Sequence, residues 1–252
     1  MDFGDLSVFL MVFARIAAFA AVFPLFALTN IPVQVRVGFG FVLALAVTPV
    51  VAHTAAVPGT TLGYTLDLAG EILIGLGVGY TAGILFHALR IAGQFIGLQI
   101  GFAAAELLDF SGTQNTILAE LMFFTGVIVF FALNAHHAVL AALVRSFELI
   151  PLTGGAVKAS SALIIARFVN GMFATALQLS APILAVMVVV DVSLGILVRM
   201  VPQINVFMLG FPLKITTGLI LLACLLPVMG VVLEKVFERM VADVFILVRG
   251  LA

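Results

Sequence analysis

Six apolar stretches, each long enough to cross a hydrocarbon core, constrain this chain more than any other feature. They fall near residues 6–27, 33–52, 68–89, 117–143, 170–200 and 205–232. A crossing needs about 20 helical residues, and only a structure that satisfies its own backbone hydrogen bonds survives in lipid. The expected fold is therefore all-α and integral to a membrane. Composition agrees: 64% of the 252 residues are hydrophobic and only 9% charged, whereas a soluble domain is about 25% charged.

The same numbers exclude several functions. A net charge of -1, from 11 basic and 12 acidic residues, makes no positive field for nucleic acid. Cys224 is the sole cysteine, so an intrachain disulfide and a thiolate metal cluster are both ruled out. The start, with Asp2 and Asp5, is acidic where a signal peptide is basic, so the first apolar segment is expected to be retained. His136 and His137 are adjacent, and on a helix they point about 100° apart, which does not suit one metal. They read as interface or capping residues. Gly75, Gly77 and Gly79 hint at a nucleotide loop, but Tyr80 breaks the pattern and no strand precedes it. Neither a P-loop nor a serine, histidine and acid cluster is present. No cofactor and no enzymatic activity are expected.

Two glycine ladders, Gly75, Gly79, Gly83 and Gly93, Gly97, Gly101, repeat every four residues. On a helix each set stacks on one face and lets a neighbouring backbone come close. Arg90, Gln94 and Gln99 interrupt the second ladder, which makes that segment too polar for lipid and too apolar for a free loop. Prolines at 24, 49, 182, 212 and 227 fall within or beside the apolar stretches and are expected to bend or break them.

Besides Arg36 and Arg199, which are counted with the connections, five charged residues lie inside these stretches: Arg15, Glu71, Glu120, Asp191 and Lys214. A charge at the bilayer centre costs about 2.5 to 3.5 kcal/mol on insertion scales, so each needs a partner or a cavity. Structural pairing and an ion pathway both meet that need. Arg15 or Lys214 could neutralise Glu71 or Asp191, and the sequence does not assign the pairs. Asp67 and Glu71 form an acidic pair four residues apart, expected at the mouth of the third span, within reach of water. The positive-inside count is six (Arg145, Lys158, Arg167, Lys235, Arg239, Arg249) against three (Arg36, Arg90, Arg199), which favours cytoplasmic termini.

Residues 102–116 are apolar at first and turn-forming afterwards. An apolar loop between membrane helices calls for enclosure by protein, so this one is a candidate constriction, an ordinary connector being the alternative. From Val232 onward the chain turns amphipathic. Glu234, Lys235, Glu238, Arg239 and Asp243 form a polar stripe beside an apolar face. The mixed signs favour docking on a partner over an anionic membrane surface.

The run RIAGQFIGLQIG at 90–101, with Asp109 and Asn115 after it, then LNAHH at 133–137, SFELIP at 146–151 and LGILVRMVPQINVFMLGFPLK at 194–214, resembles the FliR family of bacterial flagellar export-gate proteins. The resemblance runs in order through nearly the whole chain. GTQN at 112–115 favours this branch over the related SctT proteins of virulence type III secretion.

The resemblance implies a structural and gating subunit of a protein-conducting channel in the bacterial inner membrane, within the flagellar basal body. Its implied partners are FliP and FliQ, with FlhB and FlhA, and unfolded flagellar subunits would pass through the assembly. It also implies three regions: a FliP-like part at 1–169, a FliQ-like hairpin at 170–232 and the amphipathic helix at 233–252. By the same resemblance a plug loop falls near 103–116. Ala103, Ala104, Ala105, Glu106, Leu107 and Leu108 would give apolar closure and Gly112 with its neighbours freedom to move, with Asp109, Phe110 and Ser111 completing the plug residues. Gly93, Gly97 and Gly101 would pack on FliP-like neighbours. Arg199, Pro202 and Gln203 match the FliQ-like turn, and Gly210, Phe211 and Pro212 its return helix. Two departures are notable: Phe110 stands where the family usually has proline, and Ala135 stands where NGH would place glycine. A secondary transporter of a small solute is the rival reading, since broken helices and intramembrane charges also suit it.

Overall fold

The computed structural model describes residues 3–26, 31–51, 60–102, 116–152, 159–201 and 206–251. In chain order its helices are α1 (Phe3–Val22), α2 (Val33–Val51), α3 (Thr61–Ile100), α4 (Ile117–Ala132), α5 (Ala135–Leu149), α6 (Ala159–Met200) and α7 (Val206–Leu251). The described residues contain no strand. Helices suit these sequences because a helix closes its own backbone hydrogen bonds, which long Ala, Leu, Val and Phe runs in lipid require.

The helix ends are set by local chemistry. The N–H groups of Gly101 and Phe102 both reach the Gly97 carbonyl, and Gly101 takes a φ of 103°. That left-handed stop is one a β-carbon would strain. Thr116 opens α4 by accepting a hydrogen bond from the Ala119 N–H at 3.0 Å, a standard N-cap.

Several expectations change. The stretch at 117–143 is not one straight span: α4 ends at Ala132 and α5 starts at Ala135. The break is made by Asn134, whose φ of 54° is left-handed. Asparagine tolerates that region, so the turn needs no glycine at Ala135. Proline breaks none of the described helices: Pro49, Pro182, Pro212 and Pro227 lie inside α2, α6 and α7, and Pro24 follows the end of α1. The third stretch extends to Ile100, so that α3 carries the whole first ladder with Gly93 and Gly97 of the second, while Gly101 lies just past its end. Among the described residues four helices are long and apolar enough to cross a membrane, or five if α4 and α5 make one broken span, while α1 is shorter.

The positive-inside count loses its basis in loops. Arg36, Arg90, Arg145, Arg167, Arg199, Lys235, Arg239 and Arg249 are all helical, and Lys158 lies outside the described residues. The amphipathic C-terminus also needs correction, since it is the end of α7. Its apolar stripe, Phe237, Met240, Val244, Leu247, Val248 and Leu251, is buried within the chain. The stripe therefore finds its cover at home, with Leu247 beside Gly77 of α3 and Gly250 against Ile164 of α6.

The chain divides into two compact units, each assembled from pieces distant in sequence. The first comprises Met1–Ile84, Asn134–Asn170 and Phe237–Ala252; the second comprises Leu85–Leu133 and Gly171–Val236. In the first, α1 and α2 pack along each other, with Phe9 edge-on to Phe41 at 5.4 Å between centroids. In the second, Phe86 of α3 meets Phe123 and Phe130 of α4.

Candidate functional site

In the first unit a fully enclosed guanidinium ties three helices. Arg15 of α1 is 0% exposed and Glu71 of α3 only 2%. Arg15 Nε donates to Glu71 Oε2, Nη1 to Ser146 Oγ at 3.3 Å and Nη2 to the Ile150 carbonyl at 3.0 Å. Its Cζ lies 4.1 Å from the centre of the Phe147 ring. The planar guanidinium, with donors on three separate nitrogens, serves a carboxylate, a hydroxyl and a carbonyl at once. The carbonyl belongs to the residue that ends α5, so the cation also meets the negative end of that helix. Glu71 is thus not at a watery mouth. The pairing left open by the sequence is settled as Arg15 with Glu71.

The first glycine ladder explains how α1 reaches this depth. A methyl group on Gly75 would collide with the Arg15 carbonyl oxygen, and one on Gly79 would lie 2.7 Å from that of Phe19. The bare glycine face lets α1 lie directly on the α3 backbone, which brings Arg15 within reach of Glu71, one turn before Gly75. Gly83 is buried further along the same helix.

In the second unit the second ladder meets α4 of the same chain. A methyl on Gly93 would stand 2.5 Å from Ala119 Cα and from the Leu118 carbonyl oxygen, whereas one on Gly97 would meet Thr116 at an ordinary 3.5 Å. A methyl on Gly101 would stand 3.3 Å from the Phe211 ring of α7. The chain thus leaves α3 at Gly101 and returns at Thr116 against Gly97, one helical turn away. Of the proposed plug residues, Ala103, Ala104, Ala105, Glu106, Leu107, Leu108, Asp109, Phe110, Ser111 and Gly112 lie outside the described residues, whose flanks are these two pinned ends.

The remaining intramembrane charges also find partners. Asp191 of α6 lies 2.7 Å from Lys214 Nζ of α7, and its other oxygen accepts from Gln99 Nε2 of α3 at 2.8 Å. Arg90 sits 3.6 Å from Glu120 and 4.0 Å over the Phe123 ring. Pairing of this kind makes charged residues tolerable at membrane depth. Sequence reasoning flagged Gln99 as out of place but gave it no task, and it missed Ser146, Phe147 and the Ile150 carbonyl. Only the SFELIP run pointed toward these last three.

Other expected residues are placed without forming a site. Arg199 lies exposed in the last turn of α6, and Pro202 and Gln203 lie outside the described residues. Gly210, Phe211 and Pro212 lie in the second turn of α7, which opens at Val206. The His136 and His137 rings lie 4.1 Å apart, tilted by 41°, in the first turn of α5. No group of three metal-ligating side chains occurs among the described residues. The outer faces of α6 and α7, including Val188, Val189, Val192, Leu213, Ile220 and Val231, remain exposed and apolar, as surfaces meant for lipid or protein are.

Residues 6–240 match the model of a family described as bacterial export proteins, family 1. The chain is 36% identical over 234 residues to a flagellar biosynthetic protein FliR of Bacillus subtilis, covering 91% of this chain and 90% of that one. It is 30% identical over 227 residues to the FliR of Escherichia coli, covering 89% and 86%. With the FliR of Aquifex aeolicus the identity is 26% over 229 residues, covering 91% and 89%.

Proposed function

The chain belongs to the bacterial export proteins, family 1, and we propose from this that it is a structural and gating subunit of the flagellar protein-export channel. It is a polytopic protein of the inner membrane that works in the export apparatus of the flagellum. Its closer partners on this reading are FliP and FliQ, with FlhB and FlhA joining them, and the cargo is unfolded flagellar subunits. Residues 1–169 would take the FliP-like role and 170–232 the FliQ-like one.

The observation that carries a conduit over a solute transporter is the fate of the intramembrane charges. Arg15 with Glu71, Arg90 with Glu120, and Lys214 with Asp191 and Gln99 each hold helices of one unit together. A coupled transporter needs titratable groups that change partners through its cycle. Paired ties serve a scaffold, with export driven from elsewhere in the apparatus.

Native mass spectrometry of the tagged chain, purified in mild detergent from cells expressing its genomic neighbours, tests this. One copy bound to several copies of two smaller membrane proteins is the expected result. A monomer or simple homodimer would return the reading to a transporter.

The gating role rests on the apolar loop, whose ends are pinned to α3 at Gly101 and Thr116. An apolar constriction blocks ions by excluding water, and substrate would open it by displacing the loop. Deleting 106–110 is expected to make cells carrying the assembled complex leak ions, read as membrane conductance. Unchanged conductance in a complex of full composition would remove the plug assignment.

A further inference from the structure

We infer that α3 and α4 together dock a membrane helix of another protein: the outer ridge of α4 takes the apolar side of that helix, and Arg90, Gln94 and Glu120 take one polar turn within it. The inference stands on the second unit alone and does not rest on the export-channel reading.

Among the described residues Arg90 spends none of its hydrogen-bonding capacity. Glu120 stands 3.6 Å from its Nη2, outside hydrogen-bond reach. The Phe123 ring centre lies 4.0 Å from its Cζ, and Nε is buried with no acceptor. Neither Gln94, half-buried one turn along α3, nor the Glu120 carboxylate has a hydrogen bond among the described residues. Arg15, by contrast, engages all three of its nitrogens. The Arg90–Glu120 tie matches charge and is kept; the hydrogen bonds are what it lacks. Both side chains remain open, at 26% and 33% exposure, so a partner can supply them.

Beside this trio runs an apolar ridge. Ile117, Leu121, Phe124, Ile128 and Phe131 recur at steps of four and three residues, and each is at least 40% exposed. That spacing places them along one line about 21 Å long, opposite the buried stripe that holds α4 on α3. Glu120 adjoins the ridge, three residues after Ile117 and four before Phe124. Each half of the face excludes one neighbour. Acyl chains offer no hydrogen bond to Arg90 or Gln94, and water leaves the ridge unburied. An anionic headgroup suits Arg90 but is repelled by Glu120 beside it. A protein helix, apolar along its length with an acid, amide or hydroxyl in one turn, satisfies both halves, as interhelical hydrogen bonds do between membrane helices. The spacing sets it nearly along α4, crossing at about 20°.

Photo-crosslinking tests this in cells that express the chain with its genomic neighbours, with p-benzoylphenylalanine placed at Phe124 or at Ile128. Both positions are expected to capture the same different protein, through an apolar peptide that carries a polar side chain. Gln94→Leu removes no hydrogen bond inside the chain, and it should cut the adduct per chain about threefold, as loss of one hydrogen bond between membrane helices allows. Ile128→Ala, read from position 124, should lower it through the ridge. A phospholipid adduct, an adduct of two copies of this chain, or no adduct at either position overturns the partner. A protein adduct whose yield per chain is parental in Gln94→Leu, or whose captured peptide is wholly apolar, overturns the polar match. Parental yield in Ile128→Ala overturns the ridge.

Discussion

Replacing Arg15 by methionine is expected to empty the membrane of this protein, and replacing Glu71 by leucine in the same chain is expected to bring much of it back. The single change strands the Glu71 carboxylate at 2% exposure and strips the Ser146 hydroxyl and the Ile150 carbonyl of a donor. Removing one member of a buried pair typically costs about 3 to 5 kcal/mol, because the other charge is left uncompensated. That is a large share of the stability of most domains. The double change removes both charges and leaves apolar side chains of similar length, an exchange that is often neutral. Arg15→Lys should fall between parent and Arg15→Met, since one ammonium cannot reach a carboxylate, a hydroxyl and a carbonyl with the fixed fork of a guanidinium. The measurements are protein level in membranes and thermal stability of the purified complex. Equal loss in Arg15→Met and in the double variant would show that the charge pair is not the source of the effect.

The second large effect falls inside one glycine ladder. Gly93→Ala is expected to break the α3–α4 contact, while Gly97→Ala, four residues on, is expected to be tolerated. At Gly93 the added methyl lies 2.5 Å from Ala119 Cα and from the Leu118 carbonyl oxygen. Those are backbone atoms of a helix whose start is fixed by the Thr116 cap. Relief requires moving the helices about 1 Å apart, and overpacking of this kind costs about 1 to 3 kcal/mol. The same movement pulls Arg90 from Glu120, already 3.6 Å apart. At Gly97 the methyl meets Thr116 side-chain atoms at 3.5 to 3.7 Å, an ordinary contact, and alanine gains about 1 kcal/mol of helix propensity over glycine. Thermal stability of the two variants side by side gives the answer, and identical values would refute the reading of the ladder as a close backbone approach.

Much of this was legible in the order of residues. The apolar stretches fixed helices, because a long run without charge in lipid has no other way to satisfy its backbone. Glycines four apart marked α3 as a helix that something lies upon, and isolated charges in apolar surroundings announced pairs. What lies upon α3 was not legible. Expectation assigned the second ladder to neighbouring subunits, and the structure fills it with α4 of the same chain, because Thr116 returns the backbone there. The C-terminal stripe was misjudged for the same reason: amphipathicity shows that a face must be covered, and says nothing about by what. Prolines suggested the breaks, yet the break between α4 and α5 falls at Asn134, since a left-handed residue redirects the chain more completely than a missing N–H does.

By itself, then, the sequence determined a helical membrane protein, the faces that must be covered and the charges that must be matched, because those follow from local periodicity and the cost of polar groups in lipid. The tertiary structure alone decided the matches. Arg15 and Glu71 stand 56 positions apart, Arg15 and Ile150 135 apart, and Gln99 and Asp191 92 apart. No local pattern encodes such distances. They are set where bare glycine faces let one backbone settle on another and carry its side chains into reach.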